Sequence, residues 1–255
     1  MELTQLTLEI LMFLFFVALI AGFLDTLAGG GGLLTVPALM ISGIPPITAL
    51  ATNKFQSTFG TATASLMMLR NKRIHWQHIK PLMLAAFVGS VIGTIVVQFI
   101  NTSALNFIIP IVILSIAIYF LLTPAETNEL TKPTLSESKY KRYVIPAIGC
   151  YDGIFGPGTG SFFTLAGRSL RAQPFLQATA IAKPLNFATN FASLIVFIFA
   201  GKIMWLAGGG MVVGQFIGAW LGSHCLFKIP VNLLRYMVVF ICVSMLIKFM
   251  YSLNL

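Results

Sequence analysis

The sequence predicts an all-α polytopic membrane protein made of two homologous repeats, each with a glycine-interrupted helical segment, re-entrant or broken, plus three full transmembrane helices. Three observations predict it. Apolar residues fill 57% of the 255 positions and charged residues 9%, where a globular chain carries about 25% charged residues; mean hydropathy is +0.91. Apolar windows near the roughly 20 residues needed to cross a hydrocarbon core as a helix fall at about 8–24, 47–69, 81–100, 104–122, 175–200, 206–227 and 233–251. Finally, the chain repeats itself on either side of a polar stretch.

The first window follows "MELTQLTLE", which carries Glu2 and Glu9 and neither Lys nor Arg. A secretory signal starts with positive charge, so this window is expected to stay in the mature protein. It runs into "GFLDTLAGGGG" (22–32), which returns as "GCYDGIFGPGTG" (149–160): Gly22, Asp25, Gly29 and Gly31 match Gly149, Asp152, Gly156 and Gly158 at an offset of 127. Two extra residues then move the offset to 129. At that offset "ALATNK" (49–54) answers "ATAIAK" (178–183), Ile74 and Trp76 answer Ile203 and Trp205, and "GSVIG" (89–93) answers "GAWLG" (218–222). Ala104, Leu105 and Phe107 face Leu233, Leu234 and Tyr236. Residues 1–123 are thus the first transmembrane repeat and 143–255 the second. Between them, 124–142 is a polar, Pro-punctuated cytoplasmic linker.

Duplicated halves with interrupted helices are a pattern of secondary transporters, whose site lies between the repeats. In the second half the apolar run before the glycines (143–156) has 14 residues, ~21 Å of helix at 1.5 Å per residue, short of a ~30 Å core. It is either one broken span, giving parallel repeats, or a re-entrant hairpin, giving inverted ones. Positive-inside bias places Arg70, Lys72, Arg73 and Lys80 in the cytoplasm, and inversion adds Arg168, Arg171 and Lys228, which favours the hairpin. The same bias explains the net charge of +9 and removes the case for nucleic acid.

Two of the seven acidic residues, Asp25 and Asp152, lie in apolar surroundings and are the chain's only aspartates. A charge at the bilayer centre costs about 2.5–3.5 kcal/mol on insertion scales and marks function or pairing. Two readings stand: each caps the amides of a glycine turn, or each carries a coupling proton or cation. Lys54 and Lys183 are the second matched pair, read either as positive centres for an anion or as chains reaching the interface. Pro184 is expected to disfavour helix at Lys183. The segments Gly29, Gly30, Gly31, Gly32 and Gly156, Gly158, Gly160, Ser161 can converge their amides into an anion nest, aided by the positive end of a following half-helix. Thr52, Asn53, Gln56, Ser57 and Thr58, with Asn186, Thr189 and Asn190, supply neutral hydrogen bonds to a substrate or between helices. "GSVIG" and "GAWLG" are GxxxG matches, assigned to packing.

In "GFLDTLAGGGGLLTVPAL" followed by "ALATNK", and "YDGIFGPGTGSFF" followed by "ATAIAKPLNF", the chain resembles the TauE/SafE family of membrane transporters, the sulfite and organosulfonate exporters. The resemblance covers both halves. It implies a multi-pass secondary carrier of the bacterial cytoplasmic (inner) membrane for small anions: sulfite, sulfonate, other sulfur oxyanions or small carboxylates. By position it implicates Asp25, Gly29 to Gly32, Asn53 and Lys54, with Asp152, Gly156, Gly158, Gly160, Lys183 and Asn186. Thr52 and Asn53 are replaced by Ile181 and Ala182 in the second half, so the two half-sites differ.

The expected function is alternating-access anion transport; a passive anion channel is the alternative. An intramembrane serine enzyme using Ser161 and His224 is weaker still, since neither residue recurs in the other repeat, and the chain is expected not to be an enzyme. No G-x-x-x-x-G-K-[ST] loop and no Cys or His spacing for metal is present: Cys150, Cys225 and Cys242 are read as packing residues. No cofactor is expected. The expected partners are a small anionic substrate and the lipid bilayer, with a homo-oligomer left open.

Overall fold

Proline and glycine punctuation sets where the helices start and stop. In the computed structural model, residues 7–122, 132–225, 240, 243, 244 and 247 are described, and among them every regular element is helical. The order is α1 (Leu8–Ala28), α2 (Gly32–Ile41), α3 (Pro46–Arg70), α4 (Trp76–Val97), α5 (Thr102–Leu122), α6 (Glu137–Lys139), a π-helical turn (Tyr140–Val144), α7 (Ile145–Ile154), α8 (Thr159–Arg171), α9 (Phe175–Phe199) and α10 (Trp205–Cys225). The Thr7 hydroxyl caps α1, and α1 ends where Gly29 turns left-handed at φ 80°. Gly156 (φ 92°) and Gly158 (φ 78°) do the same between α7 and α8. Both 25-residue helices, α3 and α9, start behind a proline N-cap, Pro45 and Pro174.

Helices 8–27, 76–97 and 175–199 are long and apolar enough to cross a membrane. The predicted windows from 8 to 227 coincide with α1, α3, α4, α5, α9 and α10; the window 233–251 lies mostly outside the described residues. Two expectations change. Pro184 lies inside α9, so Lys183 is helical; a membrane helix tolerates the lost N–H because neighbouring groups satisfy the freed carbonyl. The helix of the second half begins at Glu137, capped by Ser136, inside the stretch expected to be solvated linker. With α6 and the π-turn included, the run up to Ile154 covers 18 residues, ~27 Å rather than ~21 Å.

Helix directions follow from close backbone approaches at glycine. A Cβ on Gly214 would meet Phe15, on Gly218 the Leu19 carbonyl oxygen at 2.0 Å, and on Gly222 the Phe23 carbonyl. Residue numbers rise together, so α1 and α10 run parallel. Likewise Gly89 meets Pro146 and Gly93 meets the Cys150 carbonyl oxygen at 2.0 Å, so α4 and α7 run parallel. These contacts obey the sequence offsets: Leu19 matches Pro146, Phe23 matches Cys150, Gly218 matches Gly89 and Gly222 matches Gly93. The glycines of both GxxxG stretches are backbone contact points, as expected.

The ends of the bundle fix the hairpins. The Met204 amide, just after α9, donates to Thr52 near the start of α3 at 3.1 Å, whereas Arg73 after α3 and Gln177 at the start of α9 share a cavity. Hence α3 and α9 are antiparallel. The amides of Thr134 and Leu135, ahead of α7, donate to the Leu170 carbonyl near the end of α8. The segment α7–α8 therefore returns to the end it entered from. The segment α1–α2 starts beside the first turns of α10 and leads back to the start of α3, so it enters from the opposite end. The tips meet: the Ser161 amide donates to the Gly29 carbonyl at 3.3 Å, and a Cβ on Gly29 would lie 2.6 Å from the Ser161 nitrogen. Around them large apolar side chains such as Phe16, Leu66, Ile92 and Phe107 face outward, as a hydrocarbon solvent requires.

Gly93→Ala and Gly218→Ala push backbone against backbone and should each destabilise by about 1–3 kcal/mol, as overpacking does. Gly209→Ala and Gly210→Ala, where a Cβ meets nothing within 4 Å, should leave the midpoint unchanged or slightly higher. Thermal unfolding in detergent checks this; equal effects at all four would contradict the packing.

Candidate functional site

Where the tips overlap, polar side chains concentrate in an otherwise apolar interior. Lys54 and Lys183 are each 1% exposed and rank among the largest fully buried side chains described; Asp152 is 1% and Asp25 8% exposed. Each lysine reaches the aspartate position of the other half. Lys54 Nζ lies 2.7 Å from Asp152 Oδ2, off hydrogen-bond alignment, and Lys183 Nζ donates to the backbone carbonyl of Asp25 at 2.6 Å. Asp25 Oδ1 accepts the Gly31 amide at 2.9 Å, while the Gly29 amide closes onto the Asp25 carbonyl at 2.8 Å. Asp25 thus caps its turn. Asp152 instead accepts the Thr159 hydroxyl at 2.6 Å on Oδ1 and faces Lys54 with Oδ2.

Gly156 is required where it stands. Its φ is positive, a backbone conformation that suits glycine, and a Cβ there would crowd Lys54 Nζ at 3.0 Å. Burying an ion pair is expensive unless remaining donors and acceptors find partners. An ammonium has three N–H groups, yet among the described residues Lys54 makes only the one close approach to Asp152. Its donor capacity exceeds what the described residues supply.

Beside this pair lies a cavity of about 10 Å³ lined by Asp25, Gly29, Gly32, Asn53, Ser57, Gly156, Gly158, Thr159, Asn186 and Asn190, room for about one water. Gly32 is the first residue of α2 and Thr159 the first of α8, so two helix amino termini, each a partial positive charge, abut it. Asn53 Oδ1 accepts from Thr35 at 2.5 Å and from Gln56 at 2.9 Å. Asn190 Nδ2 reaches Asn186 Oδ1 at 3.2 Å.

Of the residues expected from sequence, Asp25, Gly29, Gly32, Asn53, Gly156, Gly158 and Asn186 line this cavity, whereas Lys54 and Lys183 are not among its lining residues. Gly31 serves the Asp25 cap, and the Gly30 carbonyl accepts the Leu33 amide. Gly160 and Ser161 form the contact between tips. Thr52 belongs to the seam with Met204. Ser161 Oγ donates to Gly29 while His224 Nδ1 contacts the Trp220 carbonyl. No group of metal-ligating residues occurs among the described residues. Sequence reasoning missed Thr35 and Thr159; the signal for Thr159 was a hydroxyl within "GPGTG", seven residues after Asp152. It also missed that lysine and aspartate pair across the halves.

Lys54→Met strands a buried carboxylate and should destabilise by about 3–5 kcal/mol. The double variant Lys54→Met/Asp152→Asn should recover most of that, read by thermal unfolding in detergent. Additive losses would mean that the two residues do not interact.

The comparisons with known proteins converge. The sequence model of the family described as sulfite exporter TauE/SafE matches residues 14–249. The chain is 40% identical over 244 residues to a probable membrane transporter protein of Haemophilus influenzae, covering 96% of each chain. It is 41% identical over 239 residues to the probable membrane transporter protein YfcA of Escherichia coli strain K12, covering 94% of this chain and 89% of that one. It is also 37% identical over 244 residues to the probable membrane transporter protein ORF9 of a Sinorhizobium species, covering 96% and 94%. No solved structure matches. With apolar helices around a buried, charged, glycine-rich centre, and with matches along nearly its whole length, this multi-pass membrane protein belongs to the TauE/SafE family of membrane transporters.

Proposed function

We propose that the protein is a secondary transporter of small anions, of the sulfite, sulfonate, sulfur oxyanion or small carboxylate class, working by alternating access in the bacterial cytoplasmic membrane. The observation that carries this reading is the buried Lys54 ammonium, held against Asp152 with donors to spare, next to a polar cavity abutted by the amino termini of α2 and α8. An anion is the ligand that this combination of ammonium, helix ends and amide side chains would stabilise.

The backbone approaches that recur at fixed offsets support two repeats, 1–123 and 143–255, of inverted topology. Alternating access needs two such halves able to exchange roles. The cavity admits about one water, which favours a closed carrier state over an open pore. Lys54 and Lys183 would bind the anion with Asn53 and Asn186, and Asp25 would hold its turn. Asp152 would release Lys54 when the anion arrives, taking up a coupling charge in its place.

Proteoliposomes loaded with unlabelled sulfite should accumulate labelled sulfite by exchange, and Lys54→Gln and Lys183→Gln should each lower the exchange rate at least about tenfold, the loss of one charged contact. Equilibration without exchange would identify a channel. Undiminished exchange in both variants would remove the lysines from the site.

A further inference from the structure

A second cavity, of about 360 Å³, opens at the end of the bundle where α3 stops and α9 starts. Its wall carries Arg73, His75, His78 and Arg171, with Glu137 as the one acidic residue among the described residues that line it. The segment ahead of α7 forms one side: Arg171 Nη1 donates to the Leu135 carbonyl at 2.6 Å, and its Nη2 stands 3.9 Å from the mostly exposed Glu137 carboxylate. The first turns of α4 and α9 border the same space, adding two helix positive ends. This is a concave chamber of mixed lining, two guanidinium groups standing in its wall beside Ile74, Ile79, Leu82 and Ile181, with the volume of a small-molecule site.

Among its lining residues is Ile181, half-buried and packed against both apolar clusters of the interior. Two residues further along α9, about 3 Å of rise but on a different face of the helix, stands Lys183. The offset of 129 relates Ile181 to Thr52 and His75 to Met204. At the other end of the bundle that second pair is closed: the Met204 amide bonds to Thr52 Oγ1 at 3.1 Å, and the neighbouring Phe55 and Trp205 rings stack edge to face at 5.1 Å. At this end Ile181 and His75 both line open space. One seam is shut and its counterpart is not.

We propose that this cavity is an outer binding site for a free oxyanion of sulfate or sulfonate chemistry, the entrance from which the anion passes Ile181 to reach Lys183. The proposal rests on the anion-transport reading and adds to it a second site, a gate residue and the end that stands open. Guanidinium and imidazole groups facing one chamber recognise oxyanions by charge-assisted hydrogen bonds. A lipid phosphate shares that chemistry, since basic pockets between membrane helices also hold anionic headgroups.

The test uses the full chain with Cys150, Cys225 and Cys242 changed to Ser, carrying Ile181→Cys or Thr52→Cys, in membrane vesicles of both orientations. The probe is a cationic, impermeant methanethiosulfonate. Ile181→Cys should react from one orientation only, the one in which a Gln77→Cys marker reacts, while Thr52→Cys stays unreactive from both. Sulfate or methanesulfonate should slow the Ile181→Cys reaction, and Arg73→Gln with His78→Gln should raise the concentration for half-protection about tenfold. Reaction from both orientations or from neither overturns the proposal. So does absence of anion protection in zwitterionic phosphatidylcholine vesicles, including the case in which only added phosphatidylglycerol protects. Sulfite exchange by the same vesicles is measured in parallel: exchange without protection sinks this outer site and leaves transport standing, whereas protection without exchange sinks transport and leaves the site.

Discussion

An ammonium and a carboxylate 2.7 Å apart, sealed among apolar helices, impose the constraint on which the arrangement depends. Neither charge can remain in such an interior alone. Each must be delivered to the other by a different part of the chain, and the backbone around them must come close enough to exclude lipid. Two opposed hairpins meet that demand. One brings Asp152 on the last turn of α7 down to Lys54; the other brings the Asp25 carbonyl to Lys183. Because the partners cross between halves, the ionic centre ties the halves together rather than stabilising either one separately.

Glycine makes the crossing geometrically feasible. Between α1 and α10, and between α4 and α7, there is no room for Cβ atoms at the contact points. Helix association in lipid lacks the hydrophobic drive available in water and relies on close packing and hydrogen bonds. Ser90 and Thr94 add such bonds, both reaching Ser193 on α9 at 2.8 and 2.7 Å. Rigid α1–α10 and α4–α7 pairs therefore frame the hairpin tips, and the tips are where backbone leaves helical geometry. Irregular backbone inside a membrane is tolerated where it is buried in protein, and Gly29 packed on Gly160 satisfies that condition.

Much of this was legible in the chain. Hydropathy placed α1, α3, α4, α5, α9 and α10, because a bilayer solvent demands long apolar runs. The duplicated Asp, Gly and Lys elements marked the residues that meet at the tips, because a charge in such a run survives only with a partner. What remained hidden depends on three-dimensional pairing. Chain order puts Asp25 nearest Lys54, yet Lys54 faces Asp152. Pro184 looked like a helix breaker because local backbone rules ignore the neighbours that satisfy a freed carbonyl. The start at Glu137 was obscured by a polar composition that suits a helix at the water boundary as well as a loop.

The two aspartates show why likeness between halves does not make them equivalent. Asp25 spends a carboxylate oxygen on the Gly31 amide and offers its lysine only a main-chain carbonyl, so among the described residues no opposing charge touches Lys183 directly. Asp152 has no such duty; it meets Lys54 charge to charge, steadied by Thr159. The formal charges of the four groups sum to zero. If the centre binds an anion, as proposed, the less neutralised ammonium, Lys183, is the group expected to attract it first. At Lys54 the same anion would compete with a carboxylate already in place. The unequal capping of two matched residues would thus give the proposed site an order of engagement, Lys183 before Lys54, that a strictly symmetric pair would lack.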